Sequence, residues 1–104
     1  MYQLVIELNY GCYPVWVYHE GKPVINDLPL ELSEEQEIDE AFEEIRSIYD
    51  SLFQNGTEGL RYEGFHNKED KRRFLDMIDG AANLIRMKMG SALKIEKKYN
   101  AKSL

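Results

Sequence analysis

Residues 33–55, SEEQEIDEAFEEIRSIYDSLFQN, carry the strongest periodic signal in the chain. Ile38, Phe42, Ile45, Tyr49 and Leu52 recur every three or four positions, with Ala41, Ile48 and Phe53 at the margins. At about 100° per residue these side chains form one apolar stripe. The spacing therefore predicts an amphipathic helix from about Glu34 to Gln54. Ser33 and Gln36 stand at capping-box spacing at its start, and Asn55-Gly56 supplies a stop. A helix with one apolar face must lie on a layer that buries it, so this stretch calls for a two-layer fold.

The polar side of this helix is unusual. With Ile38 at zero, Asp39, Glu40, Glu43, Glu44 and Asp50 project between about 100° and 240°. Arg46 is the single base among residues 31–50, which hold nine acids. Asp39–Glu43 and Glu40–Glu44 are like-charge pairs four apart, each unfavourable by roughly 0.2–0.5 kcal/mol. Glu34, Glu35 and Glu37 are stabilised by the dipole of the first turn. A solvated face accounts for those three, whereas the mid-helix acids are candidates for a partner-binding face.

Working outward, Tyr2 to Leu8 alternates, with Tyr2, Leu4, Ile6 and Leu8 on one side, the period of a half-buried strand. Asn9 to Tyr13 supplies turn chemistry, and Pro14 to His19 reads as a second strand rich in β-branched and aromatic residues. Trp16 and Tyr18 share one face of it and Val15, Val17 and His19 the other, and alternation alone leaves open which is buried. If the valines are buried, Trp16 and Tyr18 form a second candidate patch, since such residues anchor interfaces. Glu20-Gly21-Lys22 is a tight turn, and Pro23 to Asn26 a short edge strand.

Beyond the helix, residues 55–59 read as a loop and Leu60 to Phe65 as a strand. Asn67 is a candidate N-cap for a second amphipathic helix, with Phe74, Ile78, Ala81, Ala82, Ile85 and Met89 on its stripe and Gly90 at its end. Ala92 to Tyr99 alternates again, with Leu93, Ile95 and Tyr99 inward, and residues from Asn100 are expected to fray. The order is β-β-(β)-α-β-α-β. It predicts one α+β domain over residues 1–104: a two-layer sandwich with two helices on one face of a mainly antiparallel sheet.

A chain of 104 residues can bury one core without staples, and its 43% hydrophobic and 31% charged content is that of a globular domain. The single cysteine, Cys12, allows no internal disulfide and no cysteine-based zinc site. No basic n-region or cleavage site is visible at the start, and no apolar run approaches a membrane span, so a cytoplasmic protein is expected. Net charge is −6, with −8 concentrated in residues 31–50. Such a balance argues against direct binding to nucleic acid or membrane and for a basic protein partner. No P-loop, dinucleotide fingerprint or nucleophile elbow occurs. His19 and His66 lack metal-ligand spacing, and Cys12 beside Gly11 reads as a turn residue. A protein without catalysis, metal or cofactor is expected, while an enzyme built on Cys12 or His66 is the contrary reading.

PVWVY with its hairpin, the acidic helix ending in EIRSIYDSLFQN, then LRYEGF and a second helix containing RRFLDMI together resemble bacterial immunity proteins. These are encoded beside polymorphic toxins, including those of contact-dependent growth inhibition systems. The resemblance covers about residues 14–80 and is one of texture rather than of a single motif. It implies a cytoplasmic protein that binds one cognate toxin domain, often a nuclease, as a 1:1 complex and covers its active site or substrate surface. It carries no residue assignments. Composition and spacing by themselves lead to an acidic binding domain, for which a small regulatory or adaptor domain with another basic protein partner is the alternative.

Overall fold

A computed structural model describes residues 2–90 and 93–104. Strands β1 (Tyr2–Ile6), β2 (Val15–His19) and β3 (Lys22–Ile25) are followed by helix α1 (Gln36–Ser51), strands β4 (Phe53–Gly56) and β5 (Gly59–Tyr62), helix α2 (Lys68–Met89) and strand β6 (Ile95–Lys97). The main sheet has the order β3-β2-β1-β6, antiparallel except for the β1–β6 pair. Leu4, Ile6, Val15 and Val17 turn their side chains to one face, where they pack with Ile38, Phe42 and Ile45 of α1 and Phe74, Ile78, Ala82 and Ile85 of α2. Both helices therefore cover the same face, the expected α+β sandwich. They run antiparallel, with Glu35 before α1 paired to Lys88 near the end of α2 at 3.6 Å.

The β2–β3 connection is a two-residue turn. Glu20 and Gly21 both have positive φ, 52° and 79°, the conformation whose twist matches paired strands. β3 is an exposed edge strand, and Asn26 just beyond it acts as an extra rung. Its Oδ1 accepts from the Tyr13 N–H at 3.1 Å, and its Nδ2 donates to the carbonyls of Tyr13 and Val15 at 2.7 and 3.0 Å. Asn26→Ala deletes all three bonds beside buried backbone and is expected to cost about 2–3 kcal/mol. Asn26→Asp should cost nearly as much, because a carboxylate cannot donate to two carbonyls; urea unfolding of both variants measures this.

The structure departs from the expected pattern at both ends of α1. The Ser33–Gln36 capping box does not form. Ser33 is helical and its N–H is taken by the Leu30 carbonyl, closing a 3-10 turn over Leu30–Leu32 that buries Leu28 and Leu32 against the core. An N-cap needs extended backbone, so burial of these leucines displaces the box and α1 starts from Glu35 without a side-chain cap. At the other end α1 stops at Ser51, three residues before the expected Gln54, and Phe53 to Gly56 pair with Gly59 to Tyr62 as a separate hairpin. The strand expected at Leu60–Phe65 thus ends at Tyr62 and does not join the main sheet. The Leu52 carbonyl accepts from the Glu63 and Gly64 N–H groups at 2.7 and 3.3 Å, which closes the helix end.

An isolated hairpin is marginal in water, and this one is held by rings. Phe53 meets Tyr62, Tyr10 and Tyr49 at centroid distances of 5.0, 4.9 and 5.3 Å. α2 is capped as expected by the Asn67 side chain, which accepts from the Asp70 N–H at 2.8 Å. β6 spans only Ile95–Lys97, with Leu93, Ile95 and Tyr99 packed toward the core; Ala92, part of the expected strand, lies outside the described residues. The tail expected to fray carries a 3-10 turn at Ala101–Ser103, and Leu104 rests against the core.

Candidate functional site

The acidic face of α1 resolves into two stripes with different fates. Asp39, Glu43, Arg46 and Asp50 follow one another at three- and four-residue steps along the flank facing the β1–β2 loop. The Tyr13 hydroxyl donates to Asp39 Oδ1 at 2.9 Å, and the Gly11 N–H donates to Asp50 Oδ1 at 3.0 Å. Arg46 Nη2 donates to the Gly11 carbonyl at 3.0 Å, while its Nη1 lies 3.7 Å from the Glu43 carboxylate and its Nε 4.0 Å from that of Asp50. Asp50 and Arg46 thus hold both sides of Gly11, whose φ of 75° is the left-handed conformation that suits glycine. This stripe is chiefly a clasp between helix and loop.

Glu37, Glu40 and Glu44 form the outer stripe, at about 200–260° from Ile38. All three are exposed, and among the described residues none makes an ion pair or side-chain hydrogen bond. Of the five acids expected to form the ridge, the structure therefore leaves Glu40 and Glu44 free and divides Glu43 between Arg46 and solvent. Asp39 and Asp50 are engaged with the loop. Glu37, explained in sequence by the dipole, joins the free set.

Trp16 and Tyr18 lie on the sheet face away from the helices, because the buried pair is Val15 and Val17. Trp16 stands opposite Val5, half-buried, with its Nε1 shielded from solvent and without an acceptor among the described residues. Lys98 Nζ sits 5.2 Å above the Tyr18 ring. The two candidate patches are thus on opposite sides of the sandwich, and the fold does not bring them together.

A cavity of about 340 Å³ opens between the end of α1 and the start of α2. Its floor is Ile48, Leu52, Phe65, Phe74 and Met77, and Gln54, Glu63, His66, Asp70 and Arg73 are at its rim. Sequence reasoning missed it, since the wall carrying Gln54 and Glu63 exists only because β4 and β5 leave the main sheet. Cys12 is half-buried in the β1–β2 turn and His19 is exposed at the end of β2, each on a different element from His66. Among the described residues no group of three or more His, Cys, Asp or Glu is placed to hold a metal ion, and no helix is long and apolar enough to cross a membrane.

Five phenols on different elements of the fold keep their protons to higher pH than a free tyrosine. Burial, then the hydrogen bond and charge of Asp39, push the Tyr13 hydroxyl well above its usual range. Burial, then the 2.5 Å bond to Glu31, push Tyr2 up to about 12. Tyr49, Tyr62 and Tyr99 are also raised, first by burial. An unfolded chain sheds these protons near pH 10 while the folded chain keeps them, so stability is fully present below pH 10 and lost as pH rises through 12. The urea midpoint is expected to hold to about pH 9 and to fall between 10 and 12. Tyr13→Phe should flatten that fall, and a constant midpoint across the interval would refute the assignment.

Comparison with known protein families finds no match, and comparison with curated proteins finds none either.

Proposed function

We propose that this protein is an inhibitory binding protein of the immunity type, acting in the cytoplasm without catalysis or cofactor. Its partner is a toxin domain with a basic surface, a nuclease being the chemistry that fits best, held one to one and neutralised by covering its active site or substrate surface. The observation that carries this reading is the outer stripe of Glu37, Glu40 and Glu44, three exposed carboxylates that serve no contact within the described chain. A nuclease presents bases where phosphate sits, so carboxylates offered there gain fast, salt-sensitive association.

The reading is tested by co-expressing the chain with the product of the gene that neighbours its own. Rescue of growth together with co-purification as a 1:1 complex is the expected result. A neighbouring product that neither inhibits growth nor forms a complex with the chain would reject the toxin partner. A complex with a neighbouring product that is harmless to the cell would favour a regulatory or adaptor role on the same surface.

A further inference from the structure

The cavity at the end of α1 lies further along the helix flank that carries the free carboxylates. Ile48, on its floor, lies one turn beyond Glu44 on the same flank of the helix, and Ser51, also at the cavity, one turn further. By helical rise, Glu44 and Glu40 stand about 6 and 12 Å from Ile48 along the axis. An apolar socket thus closes one end of a row of unpaired negative charge.

The chemistry of the socket favours a side chain over a free small molecule. Small-ligand sites carry convergent polar groups that fix orientation. Here the charges at the rim face charges of their own chain: Arg73 lies 3.8 Å from Asp70, and Glu63 accepts from Arg61 at 2.7 Å. Inside the edge formed by Gln54 and His66, an occupant meets apolar floor, with Ile48, Phe65 and Met77 only partly covered. A group that brings no charge of its own, carried on a segment whose neighbours are basic, matches both halves of the surface.

We propose that the cavity is the anchor socket for the protein partner: it takes one large apolar side chain from a basic segment, with lysines or arginines one and two helical turns away meeting Glu44 and Glu40. This rests on the reading of the outer stripe as a binding face and adds to it the residue pattern of the partner, a helix laid along a groove.

The test uses a synthetic helical peptide of about 20 residues, long enough to hold a helix, with one phenylalanine and lysines one and two turns from it. A second peptide has alanine for the phenylalanine. Binding is followed by the methyl resonance of Met77 and by calorimetry. The phenylalanine peptide is expected to shift Met77 and to bind at least tenfold more tightly than the alanine peptide. Ser51→Tyr, made at an exposed position beside the opening, should abolish that advantage without moving the unfolding midpoint, and Glu40→Lys with Glu44→Lys should weaken both peptides.

Equal binding of the two peptides, or an unmoved Met77, would overturn the socket. So would N-acetylphenylalanine amide moving Met77 as strongly as the peptide does, since the site would then be one for small molecules. These outcomes are independent of growth rescue: the peptide can fail while the neighbouring toxin is still neutralised, and the reverse.

Discussion

Phe42→Ala is expected to remove about 3–5 kcal/mol of stability, a large part of the roughly 5–15 kcal/mol that a domain possesses. Phe42 is fully buried at the centre of the α1 stripe, where it meets both the sheet and the Tyr13 ring, at a centroid distance of 6.1 Å. The cost combines lost transfer energy with a cavity that Leu4, Ile45 and Phe74 cannot fill without leaving their own contacts. Tyr13 also carries the hydroxyl that reaches Asp39, so the helix–loop clasp should loosen as well. Urea unfolding measures the loss, and amide exchange at Gly11 and Tyr13 measures the loosening. A loss under about 1 kcal/mol would mean that the α1 stripe is not the centre of the core.

The second large effect is on binding. Glu37→Lys, Glu40→Lys and Glu44→Lys together are expected to weaken the complex with the basic partner by about 100-fold or more, mostly through slower association at low salt. The same substitutions should move the unfolding midpoint little, because they touch no internal contact: a Lys–Lys pair replaces the Glu40–Glu44 pair, and the lost Glu37–dipole interaction costs only about 0.3–1 kcal/mol. Asp39→Ala with Asp50→Ala should do the opposite. These side chains hold Tyr13 and Gly11, so each change should cost about 1 kcal/mol of stability while affinity moves little. The two sets reverse their roles only if the inner stripe is the interface.

That division of labour could not be read from the chain. The acids were legible as a group because helical pitch places them on one side. Which of them are spent depends on partners 26 and 39 residues away, Tyr13 for Asp39 and Gly11 for Asp50. No local pattern reports such pairings. The register of β1 against β2 likewise decides that Val15 and Val17 are buried, which alternation alone left open for Trp16 and Tyr18.

The fold was legible where one period dominates, as in β1, β2, the α1 stripe and α2 with its Asn67 cap. It failed at Phe53. That residue fits the margin of the α1 stripe as well as it fits a strand, and the choice is made by Tyr10, Tyr49 and Tyr62 closing around its ring. The hairpin follows from that contact, and with it the cavity wall. Tertiary packing overrode local propensity at the one place where a new surface was being built. At Ser33 the same competition removed a capping box in favour of burying Leu28 and Leu32.

The outer face of α1 is the surface proposed to meet the partner, and a footprint on this chain tests that assignment. Amide and methyl resonances recorded with and without the neighbouring gene's product would be compared residue by residue. Changes are expected to concentrate at Glu37, Glu40, Glu44 and Ile48 and at Met77, with Trp16 and Tyr18 silent. A footprint on Trp16, Tyr18 and Lys98, with α1 unchanged, would contradict it.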